Sequence, residues 1–479
     1  MGEVKKLMTN SAIYGIAPYV PKVVSVFILP LLTAHLTDVD YGIAGTISAY
    51  TLALSALATL GMNAFLQVSF FKYSDSSNDI WRKVYAFLQL WMIAFAAIQA
   101  VLLYYVMPEE AMENRMLIIL LSNFNTVFLG PSAYLCTMYY QLVQKPIPIA
   151  VRSIVSGLLT ILVNYITIVI FNLGYLGWYM GSFMGQFFVN IAYWYDLNFK
   201  LGFKPVFKFR DGTIKHALKV SLPLLPHYYS YYLVNTSNRL VMDRADINIA
   251  DIGRYNIATQ FCNIMESVVS AVERAICPMC MEKIKNDREE IGQKLIYLFV
   301  CISFFVTFLF AVWSREAFQI LIRNDSLSSA YWMASVLVLS LNYRPMYIAA
   351  SNIFFYHEKT PQLLFVTFGA GVLAIIANII FIPRYGVGCA TVITYFSFLY
   401  QGYIGFAMKP FKENTKVQYP VIKILILQVV VSGVALLLMD VSIICKILFT
   451  LIASFVFVYS VMVTQHYSLR TILKFLHLG

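Results

Sequence analysis

Lys22, Arg239, Arg274 and Arg344 fall within, or at the ends of, apolar runs long enough to cross a bilayer, and His227 falls near the middle of another. A Lys or Arg at the centre of a membrane helix costs about 2.5–3.5 kcal/mol on insertion scales. Two arrangements would offset that. The cations could pair internally, with Glu266 and Glu273 as partners, or they could line an aqueous cavity whose surplus positive charge holds an anion. The cations outnumber the acids at depth, which favours the cavity and an anionic substrate. Glu266, the acid deepest in a run, is the candidate for carrying a coupling H+ or Na+; its other reading is pairing with a cavity arginine.

Helical spacing gathers the polar residues onto faces. Gln260, Asn263, Glu266, Ser267, Ser270, Glu273 and Arg274 share one side of their run, and His227, Tyr231, Asn235, Asn238 and Arg239 share another. Ser340, Arg344, Tyr347 and Ser351 align, as do Ser153, Ser156, Thr160, Asn164 and Thr167, and Ser48, Thr51, Ser55 and Thr59. Hydroxyls at this spacing read first as helix-packing residues. Residues 17–36, "APYVPKVVSVFILPLLTAHL", hold Pro18, Pro21, Pro30 and Lys22. Irregular backbone and buried charge are tolerated at membrane depth where they line water rather than lipid. This segment therefore reads as a cavity wall, with Pro18 and Pro21, and likewise Pro223 and Pro226, as hinges.

The elements that must position these residues are almost all membrane segments. Of 479 residues, 60% are hydrophobic and only 12% charged, with mean hydropathy +0.71; a soluble chain of this length needs more polar surface. Fourteen apolar runs of transmembrane length are predicted: 11–36, 43–66, 85–106, 117–140, 149–172, 176–197, 216–240, 255–277, 292–313, 330–354, 362–382, 385–407, 421–439 and 443–463. The third, ninth, thirteenth and fourteenth are nearly free of polar residues and are expected to face lipid. Lys5 and Lys6 precede the first run, but it outlasts a signal-peptide core and further runs follow at once, so it reads as a retained helix.

A net charge of +11 could suggest nucleic acid, but its distribution points elsewhere. With a cytosolic N-terminus, Lys and Arg concentrate in alternate loops, around Lys83, Lys145, Lys208, Lys285, Lys359 and Lys412. That is the positive-inside pattern, and with an even number of runs it puts both termini in the cytosol. The seven cysteines are scattered. Cys277 and Cys280 form a lone CxxC with no second pair, so packing is expected and no metal site.

Features also recur about 210 residues apart. Pro18-x-x-Pro21 is matched by Pro223-x-x-Pro226, and the Tyr41–Ala44 stretch by Gly253–Ala258. Lys145 precedes Asn164 by the spacing that separates Lys359 from Asn378, and Gly174 and Gly177 are echoed by Gly386 and Gly388. Six runs per repeat give both halves the same orientation, a parallel repeat, and transporters place substrate cavities at such repeat interfaces. The expected division is an N-terminal six-helix lobe at 1–198, a basic cytosolic linker at 199–215, a C-terminal six-helix lobe at 216–408, and accessory helices thirteen and fourteen with a cytosolic tail at 409–479. The linker stretch "NFKLGFKPVFKFRDG" interleaves aromatics with Lys200, Lys204, Lys208 and Arg210. It suits either an anionic headgroup layer or a plain solvated connection.

Three stretches carry a family resemblance: "LMTNSAIYGIAPYVPKVVSVFILPLLTAHLTDVDYGIAG" near the N-terminus, "TSNRLVMDRADINIADIGRYNIA" at 236–258 and "PRYGVGCATVITY" at 383–395. With these the chain resembles the Wzx-type O-antigen flippases of the multidrug/oligosaccharidyl-lipid/polysaccharide (MOP) exporter superfamily over nearly its whole length. The resemblance implies an all-α, V-shaped pair of six-helix lobes around a cationic cavity in a bacterial inner membrane. It also implies alternating access that moves an undecaprenyl-diphosphate-linked oligosaccharide to the outer leaflet, with no cofactor. A polysaccharide polymerase and a chain-length regulator would be partners. In that setting Lys22 and Arg344 would hold the diphosphate, with Arg239, Arg274 and His227 along its route, because the arginine fork grips two oxygens at once. Tyr19, Tyr231 and Tyr347 would meet sugar rings.

The chain departs from a twelve-span flippase in its last two runs, which resemble the added pair of the lipid II flippases in the same superfamily. A lipid II flippase therefore stays open. A drug or metabolite cation antiporter is disfavoured, since an Arg- and Lys-rich cavity repels cations. A membrane polysaccharide polymerase, a reading from a different class, needs a sizeable outer loop that this chain lacks. No catalytic triad order, P-loop or Rossmann fingerprint stands out, so no enzyme is expected.

Overall fold

The computed structural model describes residues 20–465 apart from 73–76, 144, 226–228, 230–231, 234–235 and 358. Pro18, Tyr19, Pro226, His227, Tyr231 and Asn235 lie outside the described residues, as does the side chain of Lys22. Each of the fourteen predicted runs overlaps helix, broken in several of them by turns, and no strand occurs among the described residues. In chain order the α-helices of eight or more described residues are α1 (Val20–Thr33), α2 (Asp38–Thr59), α3 (Met62–Lys72), α4 (Ser77–Val106), α5 (Arg115–Phe128), α6 (Gly130–Leu142), α7 (Pro146–Asn164), α8 (Tyr175–Tyr195) and α9 (Thr213–Ser221). They continue as α10 (Ser237–Arg244), α11 (Ile249–Lys285), α12 (Glu289–Leu321), α13 (Tyr331–Ser340), α14 (Arg344–Tyr356), α15 (Thr360–Tyr385), α16 (Val387–Ala407), α17 (Val421–Leu438) and α18 (Ile443–Gln465).

Seven of them are long and apolar enough to cross a membrane alone: α2, α4, α7 with the turn that extends it, α12, α15, α17 and α18. The 3-10 turn Glu109–Asn114 with α5, joined to α6 at a 50° bend, makes an eighth candidate. The remaining runs are interrupted or diluted. Pro345 removes a backbone donor and its ring crowds the residue four positions back, so the run at 330–354 breaks at the 3-10 turn Leu341–Tyr343. In α8 and α16 the length is present, but Gly, Tyr and amide residues lower the hydropathy.

The chain forms two compact units. The first holds the described residues up to Tyr232 with Asn248–Gly253 and Leu321–Asn324, and the second holds Leu233–Ile247, Arg254–Ile320 and the described residues from Asp325 onward. The first unit is cored by Trp81, Tyr85, Leu88, Leu135 and Leu197, the second by Phe299, Leu341, Met346, Ile353 and Phe354.

Both units reproduce the sequence repeat in their backbone. Lys145 and Lys359 stand at the N-caps of α7 and α15, each followed by a proline in the first turn. Gly174 and Gly386 open α8 and α16 with φ of +53° and +73°, the left-handed region that glycine enters without strain. Tyr41 and Tyr255 are both fully buried, and Asn164 and Asn378 are buried too.

Close packing explains the hydroxyl face on α7. Gly177, Gly181 and Gly185 recur at every fourth residue of α8, and Thr167, Asn164 and Thr160 fill the space that Cβ atoms there would occupy. Small residues at this spacing let two helix backbones approach within a membrane. The Thr167 hydroxyl also donates to the Gly177 carbonyl at 3.3 Å. A second close approach joins the starts of α2 and α11, where a Cβ on Gly42 would collide with the Ile249 carbonyl and one on Gly253 with that of Asp38. Pro21 packs its ring against Gly157 of α7, while Pro223 is exposed in the 3-10 turn Leu222–Leu224.

One expectation is corrected. The ninth run, α12, was expected to face lipid, yet it is the most buried of the seven candidate spans, at 44% against 6% for α18. Here α17 and α18 cover its side: Phe308, Ala311 and Val312 pack with Ala435, Leu438 and Ala453, and Phe305 stacks on Phe457 at 4.5 Å.

Candidate functional site

Arg344 opens α14 directly after the break that Pro345 imposes. Its Nε donates to Glu273 Oε2 of α11 at 2.9 Å, with both side chains 19% exposed. The guanidinium carbon lies 5.7 Å from the centre of the Tyr347 ring, within cation–π range. Glu266, two turns before Glu273 on α11, is also in electrostatic reach of Arg344. The structure thus brings together Arg344, Glu273, Glu266 and Tyr347 within the second unit. Internal pairing, one of the two arrangements the sequence allows, holds for Arg344. The contact uses Nε, and the fork's two terminal nitrogens remain to meet a second oxyanion.

The break that places Arg344 is itself supported. Asn342, freed from helical pairing, accepts at its backbone carbonyl from Gln428 Nε2 of α17 at 2.8 Å. Its side-chain oxygen accepts from the Thr307 hydroxyl at 2.6 Å, and Gln428 in turn accepts from the Tyr403 hydroxyl. Buried backbone groups at a broken membrane helix need such partners. Gln428 is the lone amide in α17, and this was the one sequence signal for it.

Arg239 is buried on α10, where its amide donates to Asn238 Oδ1 at 2.9 Å and Asn238 donates to the Tyr255 hydroxyl. Arg274 is exposed on α11. Lys22 lies on α1 in the first unit. Sequence reasoning missed two ion pairs, each with a buried member, and one carboxylate cap. Lys446 of α18, fully buried, donates to both carboxylate oxygens of Glu316 at 2.7 and 2.8 Å and to the Met439 carbonyl at 2.7 Å. Arg152 and Tyr140 both donate to Asp196 Oδ2 at 2.5 Å. Asp40 accepts from the Tyr175 amide at 2.8 Å, tying the start of α2 to that of α8.

An apolar cavity of about 280 Å³ lies between α12, α17 and α18, walled by Phe304, Phe305, Leu427, Phe449, Val456 and Phe457 among others. Its hydrocarbon lining suits an acyl or prenyl chain rather than a polar group.

The fold is that of the MOP-superfamily transporters, a multi-pass membrane architecture. It matches a structure titled lipid II flippase MurJ, inward closed conformation, with TM-score 0.72 and 14% identity, covering 94% of this chain and 99% of that one. A multidrug resistance MATE family transporter in an inward-facing conformation matches with TM-score 0.57 and 13% identity, over 83% of this chain and 93% of that one. An outward-facing MATE structure matches at 0.52 and 16% identity, over 85% and 97%. No curated protein matches the sequence. Residues 7–284 match the family described as polysaccharide biosynthesis protein, and the chain belongs to that family.

Proposed function

We propose that this protein is a flippase, not an enzyme, that carries an undecaprenyl-diphosphate-linked oligosaccharide, an O-antigen or capsule repeat unit, from the cytosolic to the outer leaflet of the bacterial inner membrane. The family match supports the polysaccharide part of the reading. The observation that carries the lipid-linked part is the hydrocarbon-lined cavity between α12, α17 and α18, which suits a prenyl tail in the same unit that holds Arg344. Alternating access is supported by the occurrence of the fold in inward- and outward-facing relatives. In this reading the chain crosses the membrane fourteen times with both termini in the cytosol.

The Arg344–Glu273 pair gives the substrate step a physical form. A diphosphate approaching Arg344 meets the free side of the fork and competes with Glu273 for it, so binding weakens the resting pair instead of burying a new charge. Glu266, nearby on the same helix, is the group through which H+ or Na+ would couple. Lys22 stays as a diphosphate-binding residue, Arg239, Arg274 and His227 as route residues, Pro18, Pro21, Pro223 and Pro226 as hinges, and a polymerase and chain-length regulator as partners.

Flipping of a fluorescent lipid-diphosphate oligosaccharide in reconstituted vesicles is the test. Arg344→Ala is expected to abolish it in correctly inserted protein, and Arg344→Lys, which keeps the charge without the fork, to retain part. Full activity in Arg344→Ala would overturn the assignment. Glu266→Gln should remove ion dependence while leaving substrate binding within about twofold. The TM-score of 0.72 to a lipid II flippase favours one second reading, transport of lipid II itself; vesicles that flip lipid II but not the O-antigen precursor would select it.

A further inference from the structure

The first unit holds a cavity of about 390 Å³ between α2, α4, α5 and α8, within the size range of small-molecule sites. None of its lining residues carries a charge, and none is Asp, Glu or His. A diphosphate has no counter-charge there, and a transferable proton has no carboxylate or imidazole to ride on. The lining instead interleaves amides and rings: Gln99, Asn125 and Gln186 with Phe95, Tyr179 and Phe183.

Two polar atoms of that lining are left without partners inside the fold. Asn125 is 4% exposed and donates through Nδ2 to the Phe183 carbonyl at 2.9 Å, which fixes the amide. Its Oδ1 is buried with no hydrogen-bond partner among the described residues, and the buried Tyr179 hydroxyl is in the same position. Buried polar atoms are nearly always paired, and leaving one unmet is costly. At the lip, the hydroxyls of Thr51 and Ser55 donate back to the carbonyls of Ile47 at 2.9 Å and Leu52 at 2.7 Å, so they present acceptors outward. The cavity therefore asks for a neutral ligand rich in O–H and N–H donors with apolar ring faces.

We propose that this cavity is a subsite for uncharged sugar rings, which rests on the flippase reading above and separates the sugar's site from that of the diphosphate. The full chain in lipid nanodiscs would be titrated with undecaprenyl diphosphate, bare or carrying N-acetylglucosamine or galactose. The wild type is expected to bind at least one sugar-bearing probe about tenfold tighter than the bare lipid. Asn125→Leu should erase that margin and leave the bare lipid's affinity unchanged, as each lost hydrogen bond costs roughly three- to tenfold. Ser55 is exposed, so Ser55→Trp fills the lip without disturbing the core and should act alike even if Asn125→Leu fails to fold. Equal affinity for bare and sugar-bearing lipids in the wild type, or a margin that survives in folded Ser55→Trp, overturns the subsite alone. Failure of every probe to bind overturns the flippase reading with it.

Discussion

At the scale of single residues, the deciding contact is Arg344 with Glu273. Counting charges along the sequence favoured unpaired cations, but a count cannot say which acid reaches which base. Breaking a buried pair strands its partner and costs about 3–5 kcal/mol, less where water reaches it. With both side chains 19% exposed, Arg344→Ala should lose about 1–3 kcal/mol in detergent unfolding, and adding Glu273→Gln should restore part of that. If the double variant is as unstable as the single one, the pair contributes nothing. Stability and transport should also part company: the double variant is expected to regain stability while staying inactive, because only the substrate needs the cation.

Helix-scale packing was legible in the sequence to a different degree. The hydroxyl face of α7 was visible as periodicity, and the packing reading of such faces holds for it. Its partner was already written as Gly177, Gly181 and Gly185, yet nothing in one sequence tells which glycine spacing meets which hydroxyl spacing. Gly181→Val would push side-chain atoms into Asn164 and the Thr160 carbonyl, and overpacking of this kind costs about 1–3 kcal/mol. A thermal midpoint unchanged by Gly181→Val would argue against that contact. The nearly apolar ninth run, the body of α12, was misread because apolarity alone does not distinguish a lipid face from a helix covered by two others.

The basic linker is an element too, and it is docked. Phe203 is buried in the first unit's core, Arg82 Nε donates to the Lys204 carbonyl at 2.8 Å, and the Val206 amide donates to the Arg82 carbonyl at 3.1 Å. Lys200, Lys204, Lys208 and Arg210 remain exposed beside Phe199 and Phe207, an arrangement able to meet anionic headgroups. The Lys83 ammonium, with Thr213, holds the Asp211 carboxyl down to about 2 from its usual 3.8. A depressed carboxylate favours docking above its ordinary range, and that contribution disappears only as pH falls through about 2. Hydrogen exchange of residues 204–213, corrected for intrinsic rate, should therefore not change between pH 8 and 5, whereas Asp211→Asn should speed it at both. A rise between pH 8 and 5 in the wild type would contradict the assignment.

For the whole molecule, the testable quantity is topology. Reporter fusions after Lys83, Lys208, Lys285 and Lys412 are expected to report cytosol, and those near Arg115, Arg254 and Arg323 the outside. A cytosolic signal from any of the latter would break the count of fourteen crossings. Fold class was readable because hydropathy and repeats are summed over many residues, so errors at individual positions average out. The site was readable only as a set of candidates, because Lys446, Asp196 and Gln428 draw their meaning from partners 44 to 130 positions away.

The Lys446–Glu316 pair has a consequence for how the chain is made. Its members are 130 residues apart, and at about 5–20 residues per second translation needs on the order of 10 s to span that gap. For most of that interval Glu316 is outside the ribosome and its lysine does not yet exist. The nascent chain must hold that end of α12 at the membrane surface until α18 arrives. A chain stopped after Asp440 would stay in that waiting state, and in a cell it should be handed to quality-control proteases much faster than one stopped after Gln465.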